Sequence, residues 1–260
     1  TPGKGGMHTD DSVPVFNTVH EALAQFPNIN ATLIAVPAKF ALSAVREAID
    51  ARIPLITILT EKIPVADAAV MIALARENGV RIVGPSSVGI VSPGQGKIGS
   101  IGGSELVHSI FSPGCVGVIS KSGGMTAELS KILTEAGIGQ STAIGIGGDL
   151  LIGSDFLDIY KLFEQDESTR AIVIFGEVGG TYEEQLADAL NAREITKPVI
   201  ALIAGKFSET LPIDTVLGHA GAIVNGTRGS ADSKITALRS AGATIAETPE
   251  DIVRLVKNIL

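Results

Sequence analysis

The sequence predicts an α/β protein made of two doubly wound units, and three observations predict it. Short apolar runs alternate with helical patterns at the spacing of βαβ units, which implies parallel sheets and right-handed crossovers. The chain carries 30 glycines and only 4% aromatic residues, a composition suited to helices lying close on a parallel sheet. Glycine-rich stretches follow several of the apolar runs, where such sheets present their strands' carboxyl ends to ligands.

The length of 260 residues allows one large or two ordinary domains. After an opening glycine-rich loop, 13–16 reads as a short strand. Thr18 caps a helix over 18–26, with Glu21 as its reciprocal partner. A buried strand over 32–37 ends at a proline, and a helix over 41–51 places Ala44, Val45, Ala48 and Ile49 at helical spacing. A strand over 55–60, a helix over 65–78 stopped by Gly79 and a strand over 81–85 complete the first unit. The turn residues of 91–113 read as a linker between domains. The second unit repeats the pattern, with strands near 116–120, 141–146, 171–175, 199–203 and 244–246. Its helices fall near 126–136, 156–165, 182–192, 230–241 and 249–260. The domain boundary is placed between 1–105 and 106–260.

The formal net charge of −8 argues against a nucleic-acid partner, and anionic substrates then need locally arranged donors. The single cysteine, Cys115, excludes an intramolecular disulfide and reads as a buried structural thiol. No apolar run approaches the ~18 residues of a membrane helix, so no membrane partner is expected and the chain reads as cytoplasmic, or mitochondrial if eukaryotic. No histidine–carboxylate spacing resembles a metal site.

Two stretches carry candidate chemistry. Cys115-Val116-Gly117-Val118-Ile119-Ser120-Lys121-Ser122-Gly123-Gly124 reads as a strand, a Ser/Gly turn and a helix start, which aims free N–H groups and a positive dipole end at one point. Leu217-Gly218-His219-Ala220-Gly221-Ala222 surrounds a histidine with small residues that allow mobility and close backbone approach. His219 is either a phosphoryl carrier or a loop histidine satisfied by a carbonyl. His8, His20 and His108 read as surface residues. Glu177, ending an apolar strand before Gly179-Gly180, either fixes a histidine tautomer or caps its turn. The exit Gly145-Ile146-Gly147-Gly148-Asp149 either admits a phosphate or makes a tight turn. A rival reading, Ser122 in a hydrolase nucleophile elbow, lacks the first glycine of that motif.

Together, Thr1-Pro2-Gly3-Lys4-Gly5-Gly6, Thr60-Glu61-Lys62-Ile63-Pro64, Ser122-Gly123-Gly124, the 145–149 and 176–180 exits and the His219 stretch resemble the α subunit of succinyl-CoA synthetase. The resemblance runs nearly end to end. It implies a Rossmann-like CoA-binding domain, with its first strand and helix upstream of Thr1, followed by a flavodoxin-like ligase domain. It implies a phosphohistidine at His219, oriented by Glu177, with the amides of Ser122, Gly123 and Gly124 holding the phosphoryl group. Lys4, Val36, Pro37, Ala38, Leu59, Thr60 and Glu61 would contact coenzyme A. A partner β subunit of ATP-grasp type, in an αβ or α2β2 assembly, would bind ATP or GTP with Mg2+, and the acid would be succinate. Ala127 and Ser86-Ser87-Val88 depart from that pattern, and Ser122-Gly123-Gly124-Met125, the Gly102-Gly103 segment and the approach over 206–218 look more like ATP-citrate lyase and citryl-CoA synthetase, so citrate and malate are alternative acids. A non-catalytic CoA-binding module is the reading from another class.

Overall fold

A computed structural model describes residues 3–103, 106–205 and 229–260. The chain opens with α1 (Val19–Gln25), β1 (Ala31–Ile34), α2 (Ala38–Asp50), β2 (Leu55–Ile58), α3 (Val65–Glu77) and β3 (Arg81–Val83). These three strands form a parallel sheet in the order β1-β2-β3. Ile34, Ile56, Ile58 and Ile82 share one core with Ala41, Val45 and Ala48 of α2 and Ala68, Met71 and Ala75 of α3. Leu55 and Val83 point the other way, into the core of the larger unit. Thr18 Oγ1 accepts from the Glu21 amide at 3.1 Å. Glu21 returns its carboxylate to the Asn17 amide at 2.9 Å, one residue earlier than a strict capping box.

The stretch expected to be a linker instead contains a β-hairpin, β4 (Gly89–Ser92) and β5 (Gly96–Gly99). Gln95 N closes its turn onto Ser92 O at 2.9 Å. β4 pairs antiparallel with a strand of the second unit, so the hairpin belongs to the larger sheet.

That sheet's other strands are β6 (Pro113–Ser120), β7 (Gln140–Gly145), β8 (Ala171–Glu177), β9 (Val199–Ala204) and β10 (Thr244–Ala246). Its order is β10-β9-β8-β6-β7-β4-β5, with the five later strands parallel. The helices are a short α4 (Val107–Ile110), then α5 (Gly123–Glu135), α6 (Phe156–Gln165), α7 (Tyr182–Asn191), α8 (Ala231–Ser240) and α9 (Pro249–Lys257). Strand alternation sorts the side chains between two faces. Ile172 and Ile174 of β8 join Phe156, Tyr160, Leu186 and Leu238 from α6, α7 and α8. Val173 and Phe175 join Leu129, Leu133, Ile252 and Val256 from α5 and α9. Helices on both faces and a parallel order of 2-1-3-4-5 define a flavodoxin-like doubly wound unit. Gly117 has a packing role here, since a Cβ would stand 3.0 Å from the Phe163 ring.

The two units meet along the carboxyl end of β3. Ser154 Oγ donates to Ile82 O at 2.7 Å, Gly153 N to Gly84 O at 2.8 Å and Ser87 Oγ to Gly145 O at 2.5 Å. Cys115 is half-buried at the irregular start of β6, and so is not the fully buried thiol expected. His8, His20 and His108 are exposed. Among the described residues, no helix is long and apolar enough to cross a membrane.

Candidate functional site

In a doubly wound sheet the two strands from which the connections diverge leave a crevice between their carboxyl ends. Here those strands are β6 and β8. Ser120 stands in register with Phe175, and Lys121 N donates to Phe175 O at 3.2 Å. Ser122 and Glu177 each follow two residues beyond that pair. The fold therefore brings the helix start and the acid to adjacent strand exits.

At the helix start, Ser122 has ordinary extended backbone angles and its Oγ accepts from Met125 N at 3.4 Å. That is helix capping, without the strained geometry of a nucleophile elbow. The Ser122 amide donates to Ser120 Oγ at 3.0 Å, and that hydroxyl donates to Ser122 O at 2.7 Å. The Ser122 amide is thus engaged within the turn. The amides of Gly123 and Gly124 find no acceptor among the described residues, as expected for the first turn of a helix. The two glycines differ. A Cβ on Gly123 would lie 2.1 Å from Val88 Cγ1, whereas one on Gly124 would have nothing within 4 Å.

Glu177 is half-buried and lines a cavity of about 150 Å³ with Lys121, Asp149, Gly180 and Tyr182. A buried charge cluster holds the turn that carries it. Lys234 Nζ donates to Glu177 O at 2.8 Å and to Gly179 O at 2.7 Å, and pairs with Glu183. Lys121 Nζ donates to Gly179 O at 3.2 Å, lies 3.4 Å from Glu183 and stacks over Tyr182. Glu183 and Lys234 are both fully buried. Burial pushes the Lys234 ammonium below the ordinary lysine range, while Glu183 pulls it back up.

His219 lies outside the described residues, as do Thr1 and Pro2 of the opening motif. The residues flanking the His219 segment are described. Gly205 has φ +100, and a Cβ there would approach Val178 Cγ1 at 2.7 Å. Gly229 has φ +85, donates to Glu184 Oε1 at 2.9 Å and accepts from Gly179 N at 2.8 Å. Both flanks therefore abut the turn directly after Glu177. Gly229 lies ten positions after His219, a span of up to about 33 Å when extended, so the connectivity permits His219 to reach Glu177.

Gly145 and Gly147 of the 145–149 exit answer a packing need. Gly147 has φ +99, and a Cβ would strike Pro85 O at 2.1 Å. Apart from Lys4, the expected coenzyme A contacts lie just beyond the carboxyl ends of β1 and β2. Thr60 Oγ1 donates to Val36 O at 2.7 Å, and Leu59 N donates to Ile34 O at 3.0 Å. Pro37 precedes Ala38 at the start of α2, where no side chain caps the helix. Glu61 is exposed, as is Lys4 in its own turn. Val36 and Pro37 also line a cavity of about 840 Å³ along β1 and α2. Among the described residues, no three His, Cys, Asp or Glu side chains gather as a metal site.

The sequence reading missed Lys121, Glu183, Glu184 and Lys234. A signal was present. Glu183 shares helical spacing with Leu186 and Ala187, and Lys234 with Ala231, Ile235 and Leu238, which places a charge on each core-facing stripe.

A family model described as CoA-ligase matches residues 119–244, and one described as CoA binding domain matches 1–62. The α subunit 1 of an ADP-forming succinate–CoA ligase from Archaeoglobus fulgidus is 44% identical over all of this chain and 85% of its own length. This chain belongs to the succinate–CoA ligase α-subunit family. The Aquifex aeolicus α subunit is likewise 44% identical, over 82% of its length. Among solved structures, Methanosaeta concilii ATP citrate lyase, in complex with (3S)-citryl-CoA, superposes with a TM-score of 0.90 at 32% identity. The match covers 95% of this chain and 41% of that one, so the present chain spans about two fifths of the lyase. Family membership makes this a ligase α chain with a coenzyme A-binding part, and an α subunit implies a partner subunit.

Proposed function

We propose that this chain works as the α subunit of a nucleoside-diphosphate-forming succinate–CoA ligase, with His219 as the phosphoryl carrier. The observation that carries the reading is the convergence at β8. Both flanks of the His219 segment abut the turn after Glu177, beside a helix start whose Gly123 and Gly124 amides find no acceptor among the described residues. Glu177 accepts Nδ1–H of the imidazole, which leaves Nε2 as the nucleophile.

The reaction then runs in three transfers. His219 Nε2 takes the terminal phosphoryl group of ATP or GTP, and the nucleoside diphosphate leaves. A succinate carboxylate oxygen takes that group from the histidine and becomes an acyl phosphate. The thiolate of coenzyme A adds to the acyl carbon and expels inorganic phosphate. At each stage the Gly123 and Gly124 amides and the α5 dipole stabilise the phosphoryl oxygens. The nucleotide and its Mg2+ belong to an ATP-grasp β subunit, and residues 106–260 perform the transfers. Residues 1–105 hold coenzyme A through Lys4, Val36, Pro37, Ala38, Leu59, Thr60 and Glu61.

The full-length chain, purified with its partner subunit and given radiolabelled ATP or GTP with Mg2+, tests this. Acid-labile, base-stable label on this chain is expected, absent in His219→Asn and discharged by coenzyme A with succinate. Discharge by citrate or malate instead would reassign the acid. A folded complex that takes no label from either nucleotide would overturn the proposal.

A further inference from the structure

Lys234 is a fully buried lysine on α8, far along the chain from the acid it serves. Its ammonium has three acceptors: the carbonyls of Glu177 and Gly179 and the Glu183 carboxylate. Glu183 Oε1 in turn accepts from the Glu177 amide at 3.3 Å. One ion pair thus grips the Glu177 peptide unit on both its N–H and its C=O side. The same turn receives Gly229, whose amide is taken by Glu184, the next residue of α7. Glu184 is buried, and its Oε2 has no hydrogen-bond partner among the described residues.

Burying such a pair is costly, and replacing a buried pair with apolar groups is often neutral or stabilising. Stability alone therefore explains its presence poorly. We infer that Lys234 and Glu183 are positioning residues, which fix the Glu177 carboxylate and the return point at Gly229 in one rigid arrangement for phosphoryl transfer. This rests on the function proposed above. Both act through the backbone of 177–180, which their side chains contact.

The test uses the full chain with its partner subunit and compares wild type with Lys234→Met and with the charge-balanced Lys234→Met/Glu183→Gln. Hydrogen exchange is read first. Protection at the Gly179 and Gly229 amides is expected to fall about tenfold or more while the interior of α5 changes little, the signature of local opening. In the ligase assay, kcat is expected to fall about tenfold or more with KM for coenzyme A nearly unchanged. Adding Glu177→Gln to Lys234→Met is expected to cost much less than it does in wild type, because the two act as a unit. Uniform loosening, or an unchanged exchange rate at the two glycines in both variants, would overturn the inference whatever the activity. So would local loosening with full kcat, or costs that multiply. A wild-type complex without turnover would sink the functional reading instead, and with it the catalytic half of this inference.

Discussion

The pair Gly123 and Gly124 separates packing from function at the helix start, and Gly124→Ala is the sharper perturbation. A Cβ at Gly124 meets nothing within 4 Å, and its φ is not in the left-handed region, so the fold accepts alanine without strain. Alanine is favoured over glycine in a helix by about 0.5–1 kcal/mol. In a chain of this size that corresponds to a Tm rise of roughly 2–4 °C for the full kilocalorie. If the open space is where phosphoryl oxygens approach the amide, the new methyl group keeps them away. Loss of one such donor costs about 10²–10³ in rate in well-characterised sites, and partial exclusion here should cost about tenfold or more. The assay pairs thermal melting with the single-turnover rate of His219 phosphorylation. Gly124→Ala should melt slightly higher and phosphorylate more slowly. A stabilised variant with an unchanged rate would refute the anion cradle. Gly123→Ala is the packing control, since its Cβ would strike Val88 at 2.1 Å and should lower the Tm.

Other perturbations report on the frame. Gly117→Ala forces the Phe163 ring aside and should cost about 1–3 kcal/mol, with Gly117→Ala/Phe163→Leu recovering part of it in denaturant melts. Burial, and then Glu164, pushes the Tyr160 phenol above its ordinary range. Stability from it is complete below the unfolded phenol's pKa of about 10 and is lost as pH rises beyond. Tyr160→Phe should flatten that alkaline limb in melts between neutral pH and the alkaline range. Burial raises the Glu164 carboxyl, but hydrogen bonds from Thr196 and Lys197 outweigh it and leave the pKa lowered. Its contribution is present at neutral pH and lost as pH falls through the folded value. The deficit of Thr196→Val should therefore shrink in acid, and a deficit constant with pH would contradict the assignment.

Much of the larger unit is legible in the sequence because its strands are buried on both faces. Such strands read as apolar runs, and the runs expected near 171–175 and 199–203 start where β8 and β9 start. The hairpin at 89–99 is not legible. Gly89 and Gly99 approach so closely that a Cβ on either would strike backbone, and glycine at those places looks like loop. At the site, Ser122 and Glu177 are readable from their place after strands. The engaged Ser122 amide is not, since only the fold shows Ser120 Oγ turned toward it. Nor does local sequence reveal that Glu183 and Lys234, widely separated along the chain, neutralise each other in the core.

Val88 carries a consequence for how this sequence can change. Its two methyl groups face the backbones of Gly123 and Gly145, where a Cβ would lie 2.1 Å and 2.6 Å away. One side chain from the junction after the small sheet thus occupies the volume that two residues of the large unit would otherwise fill. The three positions share a fixed allowance of space. A family member with alanine or serine at either glycine position should carry a smaller or differently shaped residue opposite it. Drift at 88 and drift at the turn that opens α5 are therefore expected to be correlated, so that the edge of one unit constrains which sequences the other can explore.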